Sequence, residues 1–409
     1  MGVTIDPAAL AADVAALVRI PSPTGQERAA LEWLAGRAGE LGLDAELVEH
    51  DLAALRADPG HPGEEAPRTE LVTLSVTLRG TLPGRLCLNG HVDVVGPGTE
   101  RWTHGPWSGA LDGGCVHGRG SVDMKGGVVA ALHALAALRA AAAPTPEVVL
   151  HCVPSEEDGG LGTFAALARD ARFDGCLIPE PTGFRVVCAQ AGALTFAGTV
   201  RGRAAHAAMR LEGRSAIDRY VAVHAAIAAH ETRINARVAH PAMRGLDLPY
   251  PVSVGRVVAG EWSSSVPDHL AFEGRLGVPV GEDPAAARAA FEAAVRAADG
   301  EDPPVELTWT GGAFAPGETD PDHPWVRRVR AAVAAERGAA PLAGVPWGAD
   351  MRLYTARGIP TAMVGPSGIE LAHAVDERVS VDELAAVARI IAAVVLRSGP
   401  TPAPPPPRR

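Results

Sequence analysis

Short apolar strands alternate with helical segments along most of this 409-residue chain, and that alternation restricts the possible fold more than any other feature of the sequence. A helical pattern runs from 125 to 141, and two further helices are expected within 7–41, with a break at 21–25 between them. Strands interleaved with helices form a sheet with helices packed against it, so the sequence predicts an α/β layer. The strands of this layer are predicted at 71–78, 85–88, 147–153 and 175–179.

The pattern changes near Gly192, where the predicted order becomes strand, helix, strand, strand, helix, strand. That order is typical of a split ferredoxin-like unit. The second helix of the unit has Asp283 as its expected cap and Pro284 at its first position. Within the unit, strands are predicted at 194–201, 251–258, 269–278 and 305–310, and helices at 215–231 and 284–298.

The α/β pattern resumes after Gly311, so the ferredoxin-like unit is predicted to be an insertion. The remaining elements are expected to be a helix at 325–337, a strand at 360–364 and a helix at 381–397. Two segments outside the core are also predicted, namely a surface loop rich in Pro, Gly and acidic residues and a Pro-rich tail that cannot pack and is disordered. The predicted boundaries are 1–190 with 311–409 for the first domain, 191–310 for the insertion, 51–68 for the loop and 399–409 for the tail.

Charge and apolar patterning exclude several classes of protein. The formal net charge is -11 and no basic stripe is present, so nucleic acid is not an expected partner. A membrane span is not expected, because Arg139 interrupts the longest apolar run before it reaches roughly 18 residues. The start of the chain lacks the basic and apolar segments of a secretory signal, and five scattered cysteines form no CxxC pair. A cytoplasmic location with reduced thiols is therefore expected.

Acidic and histidine side chains follow the predicted strands on their carboxyl sides. In an open α/β sheet, ligands bind in the crevice outside the carboxyl ends of the strands. Each of these residues taken singly is typical of an ordinary surface or loop position, but their shared placement predicts that they converge. The candidates are His91, Asp93, Asp123, Glu156, Glu157, Glu180 and His373.

Two histidines with several carboxylates suit a borderline divalent ion such as Zn, Co or Mn, and they cannot form a Cys-rich structural zinc site. Asp123, Glu157 and Glu180 supply three negative charges, and one hydroxide would supply a fourth, which balances two divalent cations. The glycine-rich loop 118–127 contains Lys125, the only lysine of the chain. Gly126 follows it in place of Ser or Thr, so the loop is not a P-loop.

Five segments occur in the order and spacing of one known family, and the chain resembles that family, the M20 dinuclear metallopeptidases and deacylases, over almost its whole length. Within the family it is most similar to the group of acetylornithine deacetylases and succinyl-diaminopimelate desuccinylases. The resemblance implies a zinc-exopeptidase-like mixed sheet with flanking helices, an inserted βαββαβ dimerisation or lid domain, and a homodimer. It also implies two divalent ions, most often zinc, with cobalt or manganese as alternatives. The segments are 88–95, 118–127, 155–157, Glu180 and 372–377.

The resemblance also implies a role for each metal-ligating residue. Asp123 bridges the two metals. His91 and Glu180 complete one site, and Glu157 and His373 complete the other.

Five further residues receive roles from the same resemblance. Glu156 is the general base, and Asp93 forms a hydrogen bond with His91 from behind the metal. His206 reaches into the partner subunit's site and stabilises the oxyanion, and Arg352 binds a substrate carboxylate. Ser264 is a substrate-binding candidate near the position where the family often has an asparagine, and it offers the substrate a hydroxyl in place of an amide, which leaves the acyl and amine specificity open.

The sequence thus predicts a metal-dependent hydrolase of linear amides that removes an acetyl- or succinyl-type group from a small N-acylated amino acid. Two alternatives stay open at this point. One is a dipeptidase or carboxypeptidase of the same family, and the other is a catalytically silent, dimeric binding protein.

Overall fold

A computed structural model describes residues 3–300 and 302–397 and divides the chain into two compact units. The first contains the residues up to Cys188, Glu318–Ala343 and those from Leu353 onwards, and the second contains Ala189–Gly317 and Gly344–Arg352. The sequence predicts 344–352 in the first domain, whereas the structure places this segment in the second unit. The predicted disordered tail, 399–409, lies outside the described residues.

Helices and strands alternate as the sequence predicts. In the part of the chain that the structure describes, the α-helices are α1 (Pro7–Val18), α2 (Arg28–Glu40), α3 (Leu52–Ala57), α4 (Gly126–Ala140), α5 (Leu161–Arg169), α6 (Ala216–Asn235), α7 (Pro284–Asp299), α8 (Pro324–Arg337), α9 (Met351–Thr355) and α10 (Val381–Leu396). The strands are β1 (Asp44–Glu49), β2 (Val72–Leu78), β3 (Arg85–His91), β4 (Ala110–Asp112), β5 (Cys115–His117), β6 (Glu147–Val153), β7 (Gly175–Ile178), β8 (Val186–Gln190), β9 (Gly192–Arg201), β10 (Ala205–His206), β11 (Val252–Ala259), β12 (Ser265–Val266), β13 (His269–Val278), β14 (Glu306–Phe314), β15 (Gly317–Glu318), β16 (Leu342–Val345), β17 (Thr361–Met363) and β18 (Arg378–Ser380).

The first unit is built on a mixed sheet with the strand order β1-β2-β6-β3-β7-β17-β8-β15. Its four central strands, β6, β3, β7 and β17, run parallel to one another. Strand β2 is antiparallel to both of its neighbours, β6 and β1. The central strands are almost entirely buried and apolar, as expected of parallel strands with both faces covered. Their carboxyl ends therefore meet at one edge of the sheet.

The second unit has the predicted ferredoxin-like order of elements. Its strands form an antiparallel sheet in the order β11-β13-β9-β14, with α6 and α7 in the connections. Aromatic rings fill its core, where Phe196 and Phe291 lie 4.7 Å apart between ring centroids. Asp283 accepts a hydrogen bond from the Ala285 N–H at the start of α7, which confirms the predicted cap.

Several elements differ from the sequence-based predictions. The segment 51–68 is not an uninterrupted surface loop, because it contains α3, capped by Asp51, and the side chain of Arg68 is fully buried. Strand β1 was not predicted because it is an exposed edge strand without apolar alternation. Among the described residues, the segment Ser121–Ala140, most of which is α4, has the length and composition of a membrane span, but 83% of its most apolar 18-residue window is buried inside the molecule, as is common for a core helix.

The close packing of α4 on the end of β7 generates a stability prediction. A Cβ atom at Gly127 would lie 2.4 Å from the Pro179 carbonyl oxygen, so Gly127→Ala must displace α4 from the strand. We expect this substitution to lower the free energy of unfolding by about 1–3 kcal/mol. Urea denaturation measures the change.

Gly36→Ala is the matched control, because Gly36 lies on the exposed side of α2 with nothing within 4 Å of the added Cβ. It should be neutral or stabilise the helix by about 0.5–1 kcal/mol. Equal losses of stability in the two variants would contradict the packing described here.

Candidate metal centre

The strands of the first unit carry most of the predicted site residues to the same edge of the sheet. His91 is the last residue of β3, and Glu180 lies two residues beyond the end of β7. Glu156 and Glu157 lie in the turn after β6, and His373 lies between β17 and β18. His91, Glu156 and Glu180 are buried, whereas 52% of the His373 side chain is exposed.

Asp123 lies between the two histidines. Its Oδ1 is 3.1 Å from His91 Nε2, and its Oδ2 is 3.5 Å from His373 Nε2. Each of two further carboxylates lies near one of the histidines: Glu180 Oε1 is 3.9 Å from His91 Nε2, and Glu157 Oε1 is 3.1 Å from His373 Nε2. The structure thus brings together all five residues that the sequence predicts as metal ligands.

Hydrogen bonds around His91 fix which nitrogen faces the cluster. Nδ1 lies 2.9 Å from the main-chain carbonyl of Asp93, and because a carbonyl only accepts, Nδ1 carries the proton. Nε2 is then the nitrogen directed at Asp123, with a lone pair available to a cation when the imidazole is neutral.

The carboxylate of Asp93 mainly holds the neighbouring turn. Its Oδ1 accepts the N–H of Glu156 and its Oδ2 accepts the N–H of Glu157, each at 3.1 Å. Oδ1 also lies 3.5 Å from His91 Nδ1. The Asp93 carboxylate therefore contacts His91, but the shorter hydrogen bond is the one that His91 Nδ1 donates to the main-chain carbonyl of Asp93.

The histidines and carboxylates of the cluster shift one another's pKa values, and although burial acts against this, hydrogen bonds to His373 and His91 lower the pKa of Asp123. Burial disfavours the charged form of His91, but hydrogen bonds to Asp123 and Asp93 outweigh it and raise its pKa well above the usual range. Hydrogen bonds to Asp123 and Glu157 raise the pKa of His373 to about 10. Burial and the nearby charge of Asp123 raise the pKa of Glu157. Two imidazolium ions thus supply positive charge that the carboxylates require.

Backbone conformation at the site is unusual for residues with side chains. Ser155, which precedes the Glu156–Glu157 turn, has φ 68°, and His373 has φ 64°. Non-glycine residues in this left-handed region are strained and often occur at functional sites, where surrounding contacts hold them in place. Contacts with the rest of the unit therefore set the positions of His373 and of the turn that follows Ser155.

Arg119 and Glu377 supply such contacts, and the sequence analysis assigned neither of them a role. Glu377 Oε1 accepts the N–H groups of Val122 and Asp123, at 3.0 and 3.2 Å. Its Oε2 accepts Arg119 Nη1 at 2.7 Å, and Arg119 Nη2 donates to the carbonyl of His373 at 3.0 Å. The buried pair therefore joins the loop that carries Asp123 to the segment that carries His373.

Lys125 fixes the glycine-rich loop from its other side. Its Nζ donates to the carbonyls of Leu17 and Ile20, at 3.2 and 2.8 Å, and its side chain is fully buried. Burial lowers the pKa of Lys125 to about 7. The only lysine of the chain thus anchors the Asp123 loop to the end of α1.

The segment 51–68 is tied to the turn that carries Glu156 and Glu157. Asp158 Oδ2 accepts the N–H groups of Glu65 and Ala66, at 3.1 and 2.9 Å, and forms an ion pair with Arg68 at 3.3 Å. This segment had no role in the sequence analysis, and these contacts show that it buttresses the turn.

Three predicted residues, His206, Ser264 and Arg352, belong to the second unit. His206 Nδ1 accepts the N–H of Ala208 at 3.1 Å, and the carbonyl of Ser264 accepts the N–H of Ala207 at 2.9 Å, so His206 and Ser264 are near neighbours. The roles of all three residues, and the homodimer in which His206 would act, stay predictions.

The chemistry of the first-unit cluster fits divalent cations. Ligand atoms of His91, Asp123 and Glu157 all lie within 4.8 Å of one another. Imidazole nitrogens and carboxylate oxygens are the ligands that Zn, Co and Mn accept, and Asp123 has one oxygen for each of two ions. Together with Glu180 and His373, these residues could hold a dinuclear centre.

A sheet of this topology, with two histidines and a group of carboxylates at its edge, defines a metal-dependent hydrolase. More specifically, the chain belongs to peptidase family M20/M25/M40, whose family model matches residues 87–397.

Several relatives of this chain are named succinyl-diaminopimelate desuccinylase. The chain is 30% identical over 419 residues to the succinyl-diaminopimelate desuccinylase of Methylobacterium sp. (strain 4-46), which covers 98% of this chain and 99% of that protein. It is 37% identical over 206 residues to a succinyl-diaminopimelate desuccinylase of Methylorubrum extorquens. That alignment covers 47% of this chain and spans only half, 50%, of the relative's length.

Solved structures of the family show the same fold. The M20 metallo-carboxypeptidase Sso-CP2 from Sulfolobus solfataricus has a TM-score of 0.76 at 13% identity, over 95% of this chain and 98% of that chain. The YxeP protein of Bacillus subtilis, a dinuclear metal-binding M20 peptidase, has a TM-score of 0.64 at 15% identity over the same shares, 95% and 98%. These structures confirm the predicted α/β fold class, and the family model confirms the predicted family.

The Arg119–Glu377 contact generates a prediction about metal affinity. Glu377→Gln removes the charge that holds Arg119 and weakens the acceptor for the Asp123 N–H, so the ligands lose their fixed positions. We expect metal affinity to fall about 10- to 100-fold. Equilibrium dialysis against buffered Zn²⁺ measures this change.

Glu370→Gln is the control, because Glu370 is exposed and only a few residues away. Its metal affinity should match the wild type. If Glu377→Gln also matched the wild type, the Arg119–Glu377 pair would have no part in holding the ligands.

The raised pKa values of His91 and His373 generate a prediction about pH. Below about pH 10, His373 carries a proton in the metal-free protein, and a cation must displace it. Metal affinity should therefore increase with pH, by about tenfold per pH unit for each proton released, between about pH 6 and pH 8. Calorimetric titration in two buffers of different protonation enthalpy measures the protons released, and identical heats in both would show that none is displaced.

Proposed function

We propose that this protein hydrolyses the amide bond of an N-acylated amino acid and releases a succinyl- or acetyl-type carboxylate together with the free amine. Membership of the M20 family makes the chain a hydrolase. The acyl amino acid is supported by the likeness, along nearly the whole of both chains, to a protein named succinyl-diaminopimelate desuccinylase. That name belongs to the relative, and for this chain the acyl group is a proposal.

The position of Glu156 carries the proposal. Its Oε2 lies 4.0 Å from His91 Nε2, it is only 7% exposed, and its N–H is held by Asp93. Glu156 adjoins the cluster of five predicted ligands. Because those five residues suffice to hold two ions, Glu156 is left for proton transfer. A buried carboxylate in this position can accept a proton from the attacking water and return it to the leaving amine.

The remaining residues of the first unit orient the reaction. Two divalent ions, when bound, polarise the scissile carbonyl and lower the pKa of water at the site. Asp93 keeps the Glu156–Glu157 turn in place, and the main-chain carbonyl of Asp93 keeps the Nε2 atom of His91 directed at the cluster. Glu156 is then the group that moves the proton.

Two side chains of the second unit have the chemistry for substrate binding. The guanidinium of Arg352 lies 4.1 Å from the centroid of the Phe314 ring and donates to the Ala349 carbonyl, so its plane is fixed, as recognition of a substrate carboxylate requires. Because His206 Nδ1 accepts a main-chain N–H, neutral His206 carries its proton on Nε2 and can donate to an oxyanion. Ser264 would add a hydroxyl toward the acyl or amine part.

Substitution of Glu156 tests the mechanism. Glu156→Gln should keep both ions but lose turnover by about 10²- to 10⁴-fold, because the amide cannot accept the proton. Asp123→Ala should lose metal as well as turnover. Metal content by mass spectrometry and the initial rate of hydrolysis are measured on the same samples, with Glu100→Gln, on an exposed bend, as the control. Metal content that is equal in Asp123→Ala and wild type would contradict the assignment of Asp123.

A substrate panel tests the proposed specificity. Metal-loaded protein should hydrolyse N-succinyl or N-acetyl amino acids and leave dipeptides intact. Turnover of dipeptides alone would instead support the peptidase alternative. Full metal content without turnover of either class would support the silent binding protein.

A further inference from the structure

A second group of histidine and carboxylate side chains lies in the first unit, around the hairpin of β4 and β5. His104 precedes the hairpin, Asp112 ends β4 and His117 ends β5. One ligand atom from each of these residues lies within 4.8 Å of the other two. None of the three belongs to the candidate metal centre, and the proposed hydrolysis does not use them.

The geometry of this group is close to that of a metal site. His104 Nε2 is 3.6 Å from Asp112 Oδ2, and the rings of His104 and His117 are 4.4 Å apart between centroids. With metal–ligand bonds of about 2.0–2.1 Å, neighbouring ligand atoms of a tetrahedral zinc site are about 3.3 Å apart. The side chains of His104 and Asp112 are 31% and 69% exposed, so small rotations bring them to that spacing and a cation reaches them from solvent.

We propose that His104, Asp112 and His117 form an additional divalent-cation site. Two imidazoles and one carboxylate select a borderline ion such as Zn²⁺ over Mg²⁺ or Ca²⁺, which require more oxygen ligands. With three protein ligands, water completes the coordination.

The location of this site indicates what the ion does there. β5 pairs with β18 in antiparallel register, which places His117 opposite Arg378. Thr103, the neighbour of His104, donates its N–H and its hydroxyl to Asp376, at 2.7 and 2.8 Å. An ion that joins His104 to the hairpin therefore ties together two stretches that both contact residues 376–378, which closely follow His373. The ion therefore stabilises the segment that carries a ligand of the dinuclear centre.

Counting bound ions tests the site independently of turnover. The full-length protein and its variants are dialysed against buffered Zn²⁺ and the metal per chain is measured. We expect three ions in the wild type, two in His117→Gln and one in Asp123→Ala. The double variant, which carries both His117→Gln and Asp123→Ala, should bind none. Zn²⁺ should also raise the melting temperature of Asp123→Ala but not that of the double variant.

His104→Gln and Asp112→Asn should each repeat the result of His117→Gln. His269→Gln is the matched control, because His269 is an exposed histidine of the second unit, and it should bind as many ions as the wild type. If His117→Gln and the wild type bind the same number of ions, the site does not exist. That comparison still decides the question if Asp123→Ala does not fold. A protein that binds the extra ion but hydrolyses no N-acyl amino acid would overturn the proposed function and leave this site intact.

Discussion

Three acidic side chains, Asp123, Glu157 and Glu180, lie within a few ångströms of two histidines at one edge of a buried sheet, and much of the first unit serves to keep them there. Burial and mutual repulsion would drive such carboxylates apart or neutralise them unless positive charge lay between them. In the metal-free protein, His91 and His373 are protonated because their pKa values are raised, and they supply part of that charge. Divalent cations supply it more completely, which is the physical reason for interpreting the cluster as a metal centre.

The two sides of the cluster are held in different ways. Parallel strands fix His91 and Glu180, because the ends of β3 and β7 cannot move without breaking the sheet. Asp123 and His373 come from irregular segments, and the buried Arg119–Glu377 pair joins those segments to each other. The neighbouring hairpin of β4 and β5 pairs with β18, and Thr103, which precedes the hairpin, donates to Asp376, so both contacts fall on residues that closely follow His373. Rigidity at the loop side of the centre is therefore a property of several packed segments and not of one strand.

The sequence predicts the fold and the converging residues because strand ends and periodicity are local signals. His91, Glu180 and His373 each follow an apolar strand, and that placement alone predicts that they lie at the same edge of the sheet. The supporting contacts were beyond reach, because they join residues far apart along the chain: Arg119 and Glu377 are 258 positions apart. Asp158 and the 51–68 segment that it contacts are likewise far apart along the chain. The segment 344–352 is also predicted wrongly, because it belongs to the second unit although the α/β pattern surrounds it in sequence. Edge strand β1 carries no apolar alternation, so no periodic signal marks it.

We propose that five side chains from separate segments hold two cations that share Asp123. Crystals grown with Zn²⁺ and measured at the zinc absorption edge test it most directly. Apart from a peak at His104, Asp112 and His117, two anomalous peaks are expected at the Asp123 carboxylate. The first lies beside His91 and Glu180, and the second lies beside Glu157 and His373. Full occupancy of zinc elsewhere in the molecule, with no anomalous peak beside Asp123, would contradict the account.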